Sequence, residues 1–502
     1  MTDVPARISA TQIAPRDDVA VALRNLAAGE TIELAGQAFQ LVEPIQRGHK
    51  FAMHAIQPGE VVHKYGWPIG AAKAAIPIGA HVHSHNLATQ LTTGDAYSYQ
   101  AKLPDVATKA NRASASFMGY RRANGRVGTR NEIWILCTVG CVGRTAERIA
   151  RNAAQRFATE VDGVYAFTHQ FGCSQLGGDL NRTRQLIAAL ASHPNAGGVL
   201  IVGLGCESNQ LDKLLAEIPT EQRERVRAFA AQQTGDETEE GMRLVADLVT
   251  LAAKDRRELC SLGDLAIGVK CGGSDGFSGM TANPLIGRIA DRVTQAGGAA
   301  ILTEIPEIFG AERLLMQRSV NEEVFNSLVQ VVNDFKDYYV RNNQPVHENP
   351  SPGNIAGGIT TLEEKSLGAV QKGGHATVTD VVRYAKRFTK PGLTVLEAPG
   401  NDGISSTALV AAGATIVLFT TGRGTPLGFP APTLKISSNS ELAQSKPHWI
   451  DFDAGRALTG ESLEALSDEL LAYIIAVASG QSARNEVNGE REIAIWKDGV
   501  TL

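Results

Sequence analysis

Apolar and polar residues change rhythm along this chain. Up to about residue 100 the apolar runs are short and broken by turn residues, as in AAGETIEL, AIQPGEVVHKYGWPIG and AAIPIGAHVHSHN, which predicts a small, mostly β module. From Ala101 to about Ser116 periodicity fades into polar sequence, the texture of a linker. After Tyr120, strand-like apolar runs are each followed by a helix-period stretch: VDGVYAFTH then LNRTRQLIAALA, GGVLIVGLGC then a short mixed helix, RVRAFAAQQ then EEGMRLVADLVTLAAK. Strands alternating with helices build parallel sheets covered on both faces. The alternation resumes after Leu265 with LAIGVKCGG, PLIGRIADRVTQAGG, AAILTE, a long helix from Asn321 to Arg341, LTVLEAPGND, TALVAAG and TIVLFTTGRG. The expected fold class is α/β, with a β module over residues 1–100, a linker over 101–117, and parallel-sheet units over 118–262 and 263–502. The stretch from Gln344 to Thr361, with NPSPGN and GGITT, is too long and too rich in Pro and Gly for a simple connection and reads as a functional loop.

Composition narrows the class of partner. A length of 502 residues accommodates two or three cores. A net charge of -5 without a long Lys/Arg run offers no basic field to nucleic acid or anionic lipid, so a small molecule is the expected partner. The longest apolar stretch, Thr407 to Thr421, contains Gly413 and falls short of the roughly 20 residues a bilayer requires; it reads as a buried helix and strand. The start, MTDVPARISATQIAPRDD, lacks the apolar core of an export signal. Six sparse cysteines do not make a disulfide framework and fit a reducing compartment, so the cytoplasm is expected.

Ligands of open parallel sheets bind beyond the carboxyl ends of the strands, and polar residues collect there. Thr168, His169 and Cys173 follow one strand, Cys206 and Glu207 the next, then Cys271, Ser274 and Asp275, Glu304 and Glu307, Asn401 and Asp402, and Arg423. The glycine-rich turns GLGCESN, CGGSDGFSG and TGRGTPLG can each cradle an anion through backbone N–H groups. None is a Walker A loop, and GLGCES lacks the third glycine of a dinucleotide fingerprint, which disfavours an NAD-dependent oxidoreductase. Cys141, Cys173, Cys206 and Cys271 lie in VGC, FGCS, LGCE and KCGGSDG, far from C-x-x-C spacing. They read either as small thiols packed beside glycines or as iron ligands, two or three of them holding mononuclear Fe2+ or an iron–sulfur cluster. Cys137 and Cys260 read as structural. His81, His83 and His85 alternate in HVHSHN; on a strand all three point to one face, as imidazoles of a metal or acid-binding site do. His49 in RGHK reads as part of a capped turn.

Taken in order, RGHKFA, KYGWPIG, HVHSHN, YRRANGRVGTRNE, FGCSQLG, VGLGCE, KCGGSDGFSGMTANP, EIFGAE, NPSPGN, EEKSLGA and TTGRGTP resemble the altronate/galactarate dehydratase family, to which sulfolactate sulfo-lyase is related. The likeness spans nearly the whole chain, and VGCVGRTA, FDAGRAL and the ending IAIWKDGVTL resemble its altronate-acting members. The resemblance implies an N-terminal β-clip (SAF-type) module, a middle α/β domain tied to homodimerisation, and a C-terminal Rossmann-like variant holding a metal, Fe2+ or alternatively Mn2+. It also implies loss of the C2 proton and C3 hydroxyl of D-altronate to give 2-dehydro-3-deoxy-D-gluconate. A proton α to a carboxylate is so weakly acidic that this reaction needs a Lewis acid or strong donors together with a positioned base. On that footing the metal is expected at Cys173, Cys206 and Cys271. Substrate contacts are expected from Arg423, Ser274, Asn401, Asp402, His83 and His85. Lys365 in EEKSLGA or His169 is the expected base, and Asp275, Glu304 or a histidine of HVHSHN the expected acid. Two alternatives accompany this expectation: a lyase acting on galactarate, another sugar acid or sulfolactate, and a regulator that senses sugar acids.

Overall fold

The computed structural model describes residues 8–92, 96–103 and 115–502. Residues 104–114, most of the expected linker, lie outside them, as do residues 1–7. The N-terminal module is built on two hairpins, Thr31–Leu34 with Gln37–Gln40 and Val61–Lys64 with Trp67–Ala72. They turn through Ala35-Gly36 and Tyr65-Gly66, all four residues at positive φ, the mirror-image turn whose twist matches that of the strands. A four-stranded antiparallel sheet of Ala10–Thr11, Val19–Ala22, Lys50–Ala52 and His81–Val82 accompanies them, and Leu87–Ala88 extends the second hairpin to a three-stranded sheet. The strand expected through HVHSHN stops at Val82. Asn86 closes a turn there, its Oδ1 accepting from His83 N (2.9 Å) and its Nδ2 donating to His81 O (2.8 Å), and such side-chain bonds compete with strand pairing.

The middle unit contains a four-stranded parallel sheet in the order Gly163–Phe167, Glu132–Cys137, Ala196–Gly203, Val226–Ala230. Strand alternation divides its faces. Ile133 and Ile135 pack with Ile149, Leu244 and Leu248 of helices Gly143–Arg156 and Glu237–Ala252, whereas Trp134 and Leu136 join Leu186 and Leu190 of helix Gly177–Ala191. That helix also packs against helix Asp402–Ala412 of the next unit, so both sheets share one core. The C-terminal unit is an all-parallel seven-stranded sheet in the order Val378–Val382, Gly392–Leu396, Ala299–Leu302, Ala266–Cys271, Ile416–Thr421, Thr433–Ser437, Phe452–Asp453. The expected long helix is Glu322–Arg341, started by Asn321, whose Oδ1 accepts from Val324 N. The expected buried helix and strand are Asp402–Ala412 and Ile416–Thr421. No helix of the described residues is long and apolar enough to cross a membrane.

Strand Ala266–Cys271 is the first of its sheet and lies in its interior; the chain builds outward on one side and later returns to build on the other. Its carboxyl end is therefore the switch point at which such sheets open a crevice. The N-terminal module sits on the loops beside this end. A Cβ added at Gly276 or Gly358 would lie 2.1 or 2.2 Å from the carbonyl oxygen of Gly48, so glycine is required where the two backbones meet. Docking is fixed by charge: Lys50 and Lys64 of the module reach Glu364 at 2.9 and 2.7 Å, with all three side chains buried. Burial opposes the Glu364 carboxylate, but Lys50, Lys64 and a hydrogen bond from Thr360 hold it far below the usual range. Glu364→Gln would leave two buried ammonium groups without their counter-charge, a change expected to destabilise by about 3–5 kcal/mol. Because the native carboxylate is depressed, its contribution is present above the ordinary value of 4.5 and is lost as pH falls further below it. Denaturant titration of wild type and Glu364→Gln at neutral and acid pH checks both statements; equal midpoints at neutral pH would refute them.

Candidate active site

The floor of the crevice is a network of buried charges. Lys270 lies in the otherwise apolar strand Ala266–Cys271 and is fully buried, so its ammonium must be paired. It bonds Glu304 and, at 2.7 Å, Asp402. Lys372 donates to Glu304 Oε2 and to Cys271 Sγ, both at 2.8 Å, and Cys271 N donates to Glu304 Oε2 at 3.1 Å. Lys365, in the first turns of helix Leu362–Ala369, bonds Glu307 Oε1 at 2.8 Å, Asn349 Oδ1 at 2.9 Å and Asn354 Oδ1 at 3.1 Å. Three ammonium groups thus face three carboxylates, Glu304, Glu307 and Asp402. Burial opposes the charges on Lys270 and Lys372, yet the surrounding acidic groups outweigh it and raise both. Glu307 is lowered against burial by Lys365, Lys270 and Lys372. The Cys271 thiol is pushed up by burial to about 12. Glu304 sits in the left-handed region at φ 69°, a conformation that non-glycine residues rarely hold outside constrained sites. Over this floor opens a cavity of about 200 Å³. Its walls include Cys271, the backbone of Gly272 and Gly273, Glu307, Asn349, Asn354, Lys365 and Asp402.

Beside the cavity stands a cluster of imidazoles from the N-terminal module. The ring centroids of His49, His81 and His83 lie 5.0 to 5.1 Å apart, with His85 at 5.5 Å from His81. His49 Nδ1 is 3.0 Å from His81 Nε2. His83 and His49 turn Nε2 toward the carbonyl oxygens of Ile355 and Ala356, at 3.0 and 3.3 Å, in the short helix Pro352–Ala356 that also carries Asn354. Burial and neighbouring cations lower all three rings, His81 to about 3 and His83 to about 4, so they are neutral at physiological pH. The carbonyls place the proton on Nε2 of His49 and His83, so each Nδ1 carries the lone pair, that of His49 turned to His81 Nε2 and that of His83 to Ser84 Oγ at 3.1 Å; backbone carbonyls orient imidazole ligands in this way. One ligating atom from each of His49, His81 and His83 lies within 4.8 Å of the others, which fits a divalent ion such as Fe2+, Mn2+ or Zn2+. Cys271, Glu304 and Glu307 meet the same distance criterion but do not fit one. Their charge is already balanced by lysines, Lys372 occupies the position 2.8 Å from the sulfur, and a metal-bound thiol must be ionised.

The residues singled out in the sequence fall into distinct places. Lys365, Asp402 and Cys271 line the cavity. Arg423 stands at its rim, its Nη2 on Gly353 O at 2.9 Å and its Cβ 3.2 Å from a Cβ built on Gly273. Glu304 is sealed beneath the floor, fully engaged by Lys270, Lys372 and Cys271 N, so it has no access for delivering a proton to a ligand. Ser274 is buried and contributes its carbonyl to Asn354. Asn401 caps helix Asp402–Ala412. Asp275 is a loop tie: Phe277 N, Ser278 N, Ser278 Oγ and Ser438 Oγ donate to Oδ1, and Asn439 Nδ2 to Oδ2, leaving no capacity for acid catalysis. His169 belongs to the middle sheet and spends both ring nitrogens on backbone, Nε2 on Cys137 O and Nδ1 on Phe171 N, so it is no free base. Cys173 and Cys206 are exposed on the edge of the middle sheet while Cys271 is buried in the other. Among the described residues no trio of ligating atoms within 4.8 Å includes Cys173 or Cys206. Sequence reasoning passed over Lys270, Lys372, Asn349 and Asn354, and read His49 as a turn residue. A lysine inside AIGVKC was the available signal for Lys270; nothing local marks Lys372, which reaches the site only through the fold.

Residues 8–90 match the altronate/galactarate dehydratase SAF domain, residues 119–253 the second domain of D-galactarate dehydratase/altronate hydrolase, and residues 262–501 the C-terminal domain of D-galactarate/altronate dehydratase. Altronate dehydratase of Bacillus subtilis (strain 168) is 48% identical over 498 residues, covering 98% of this chain and 99% of the relative. Altronate dehydratase of Escherichia coli (strain K12) is 49% identical over 492 residues, covering 97% and 98%. Galactarate dehydratase (L-threo-forming) of Escherichia coli (strain K12) is 33% identical over 459 residues, covering 88% and 87%. With three family domains matched in order and near full-length likeness on both sides, the chain belongs to the D-galactarate/altronate dehydratase family.

Proposed function

We propose that this chain is a hydro-lyase converting D-altronate to 2-dehydro-3-deoxy-D-gluconate in the cavity at the end of strand Ala266–Cys271. Similarity to two altronate dehydratases over almost the whole chain supports the substrate. The observation that carries the mechanism is the pairing of Lys365 with Glu307 on the cavity wall. Lys365 directs its hydrogen bonds to three acceptors, matching the three N–H bonds of an ammonium group, whereas Glu307 is held ionised by the lysines around it. In this reading the roles expected of Lys365 change: Glu307 takes the C2 proton and the Lys365 ammonium protonates the departing C3 hydroxyl as water. The enol then tautomerises to the 2-keto acid. In net terms one proton has then passed from Lys365 to Glu307 through the substrate, and its return from the Glu307 carboxyl to the Lys365 amine, in contact at 2.8 Å, restores the pair. Arg423 at the rim suits the C1 carboxylate. His49, His81 and His83 would hold a divalent ion, Fe2+ or Mn2+, which when bound supplies a Lewis acid for the carboxylate oxygens. Six free cysteines suit a reducing cytoplasm, and the homodimer implied by the resemblance completes this reading.

Product analysis after incubation of the purified protein with Fe2+ and a panel of sugar acids is expected to give the keto acid fastest from D-altronate; turnover of galactarate alone would overturn the assignment. In deuterated solvent, Glu307→Gln is expected to abolish exchange at C2. Lys365→Met should retain exchange yet lower product formation by about 10²–10⁴-fold, the usual range for a lost acid. The opposite pattern would make Lys365 the base. For the metal, His49→Ala and His81→Ala are expected to lose most bound Fe2+ in equilibrium dialysis while Cys271→Ser retains it; retention in both histidine variants would rule out this ligand set.

A further inference from the structure

Three exposed cysteines remain outside the chemistry described above. Free cysteine is among the most buried residue types, and an exposed thiol is open to oxidation. Cys137, Cys260 and Cys271 are buried, as that tendency predicts, but Cys141, Cys173 and Cys206 are exposed. All three exposed cysteines stand at the carboxyl edge of the middle sheet, following the adjacent strands Glu132–Cys137, Gly163–Phe167 and Ala196–Gly203.

The loops that carry them are bound to one another. Gly140, next to Cys141, donates its N–H to Phe171 O at 2.9 Å, and Asn209 N donates at 2.9 Å to the carbonyl of Gly172, next to Cys173. Asn209 Nδ2 reaches Thr138 O at 3.1 Å, tying the third loop to the first. A Cβ at Gly172, which sits at φ 103°, would meet Thr138 O at 2.1 Å, so this approach requires glycine. The Cys206 loop is pinned by buried Glu207, which accepts from Thr138 Oγ1, Leu204 N and Gly205 N. Gln232 Nε2 points at Cys206 Sγ from 3.4 Å, a donor of the kind that supports thiolate ligands.

We propose that Cys141, Cys173 and Cys206 form a binding site for a [4Fe–4S] cluster whose fourth iron faces solvent. A single tetrahedral ion, with metal–sulfur bonds of about 2.3 Å, needs its ligands crowded together, yet among the described residues no trio of ligating atoms on this edge lies within 4.8 Å. A cubane cluster binds each cysteine through a different iron and so holds the sulfurs further apart. Loops fixed to one another by hydrogen bonds and thiols open to solvent meet what ligand exchange onto such a cluster requires.

The reduced full chain is incubated without oxygen with a preformed [4Fe–4S] cluster carrying small-molecule thiolates. Three of these leave, each taking the proton of the cysteine that replaces it, and no electron is transferred. After gel filtration, iron, acid-labile sulfide and visible absorption are measured for wild type and for Cys141→Ser, Cys173→Ser, Cys206→Ser and Cys260→Ser. Wild type and Cys260→Ser are expected to hold about four iron and four sulfide per chain, and each of the other three to lose most of both with circular dichroism unchanged. Retention of the cluster by all three variants, or iron bound to wild type without sulfide, would overturn the proposal. Metal content at the histidine trio is followed separately through His81→Ala, so failure here leaves the reading of the cavity untouched.

Discussion

The buried carboxylate of Glu364 is the constraint on which the arrangement of this molecule rests. It is the only acidic partner given by hydrogen bonding to Lys50 and Lys64 among the described residues, and an unpaired ammonium cannot remain charged in such surroundings. The two lysines come from different strands of the N-terminal module, whereas Glu364 lies in the first turn of helix Leu362–Ala369. Satisfying all three at once therefore fixes where the module sits. The next residue is Lys365, on the cavity wall, and the strand that carries Lys50 also adjoins His49 and pairs with His81. One ion triad thereby locates the imidazole cluster relative to the cavity.

The same physics governs the floor. Lys270, Lys372 and Lys365 would each be untenable alone in this interior, as would Glu304 and Glu307, and each is made tolerable by its neighbours. A network of this kind resists replacement of one member, because removal leaves a partner buried and uncompensated. It also keeps Glu307 ionised although it is buried, in surroundings where electrostatic effects on a bound acid are larger than in water. The histidines solve a different problem. Neutral rings with their protons committed to the carbonyls of Ile355 and Ala356 offer lone pairs to a cation, whereas the charge-balanced floor does not.

Much of the architecture was legible in the order of apolar runs. The switch from short broken segments to alternating strands and helices marks the β module and the two parallel sheets, because burial on both faces demands continuous apolar strands. Strand Glu132–Cys137 went unread although its run IWILC is continuous and apolar, and so did the five-residue strands Val378–Val382 and Thr433–Ser437, whose shorter runs carry polar residues and leave a weak signal. The HVHSHN trio shows both sides of the matter. Its histidines do gather, but through the turn that Asn86 closes and not through strand alternation.

What the sequence determined by itself was the class of fold, the family, and the strand ends at which chemistry would collect, because these follow from local periodicity and from motifs contiguous in the chain. Which of those strand ends share a site was decided only by tertiary structure. Cys271 parts from Cys173 and Cys206 because they belong to separate sheets, and His169 and Asp275 prove to be ties within loops. His49 joins His81 and His83, and Lys372 reaches Cys271 and Glu304, across separations that no periodicity spans. Pairing of buried charges depends on where the backbone brings them, and spacing along the chain does not encode that.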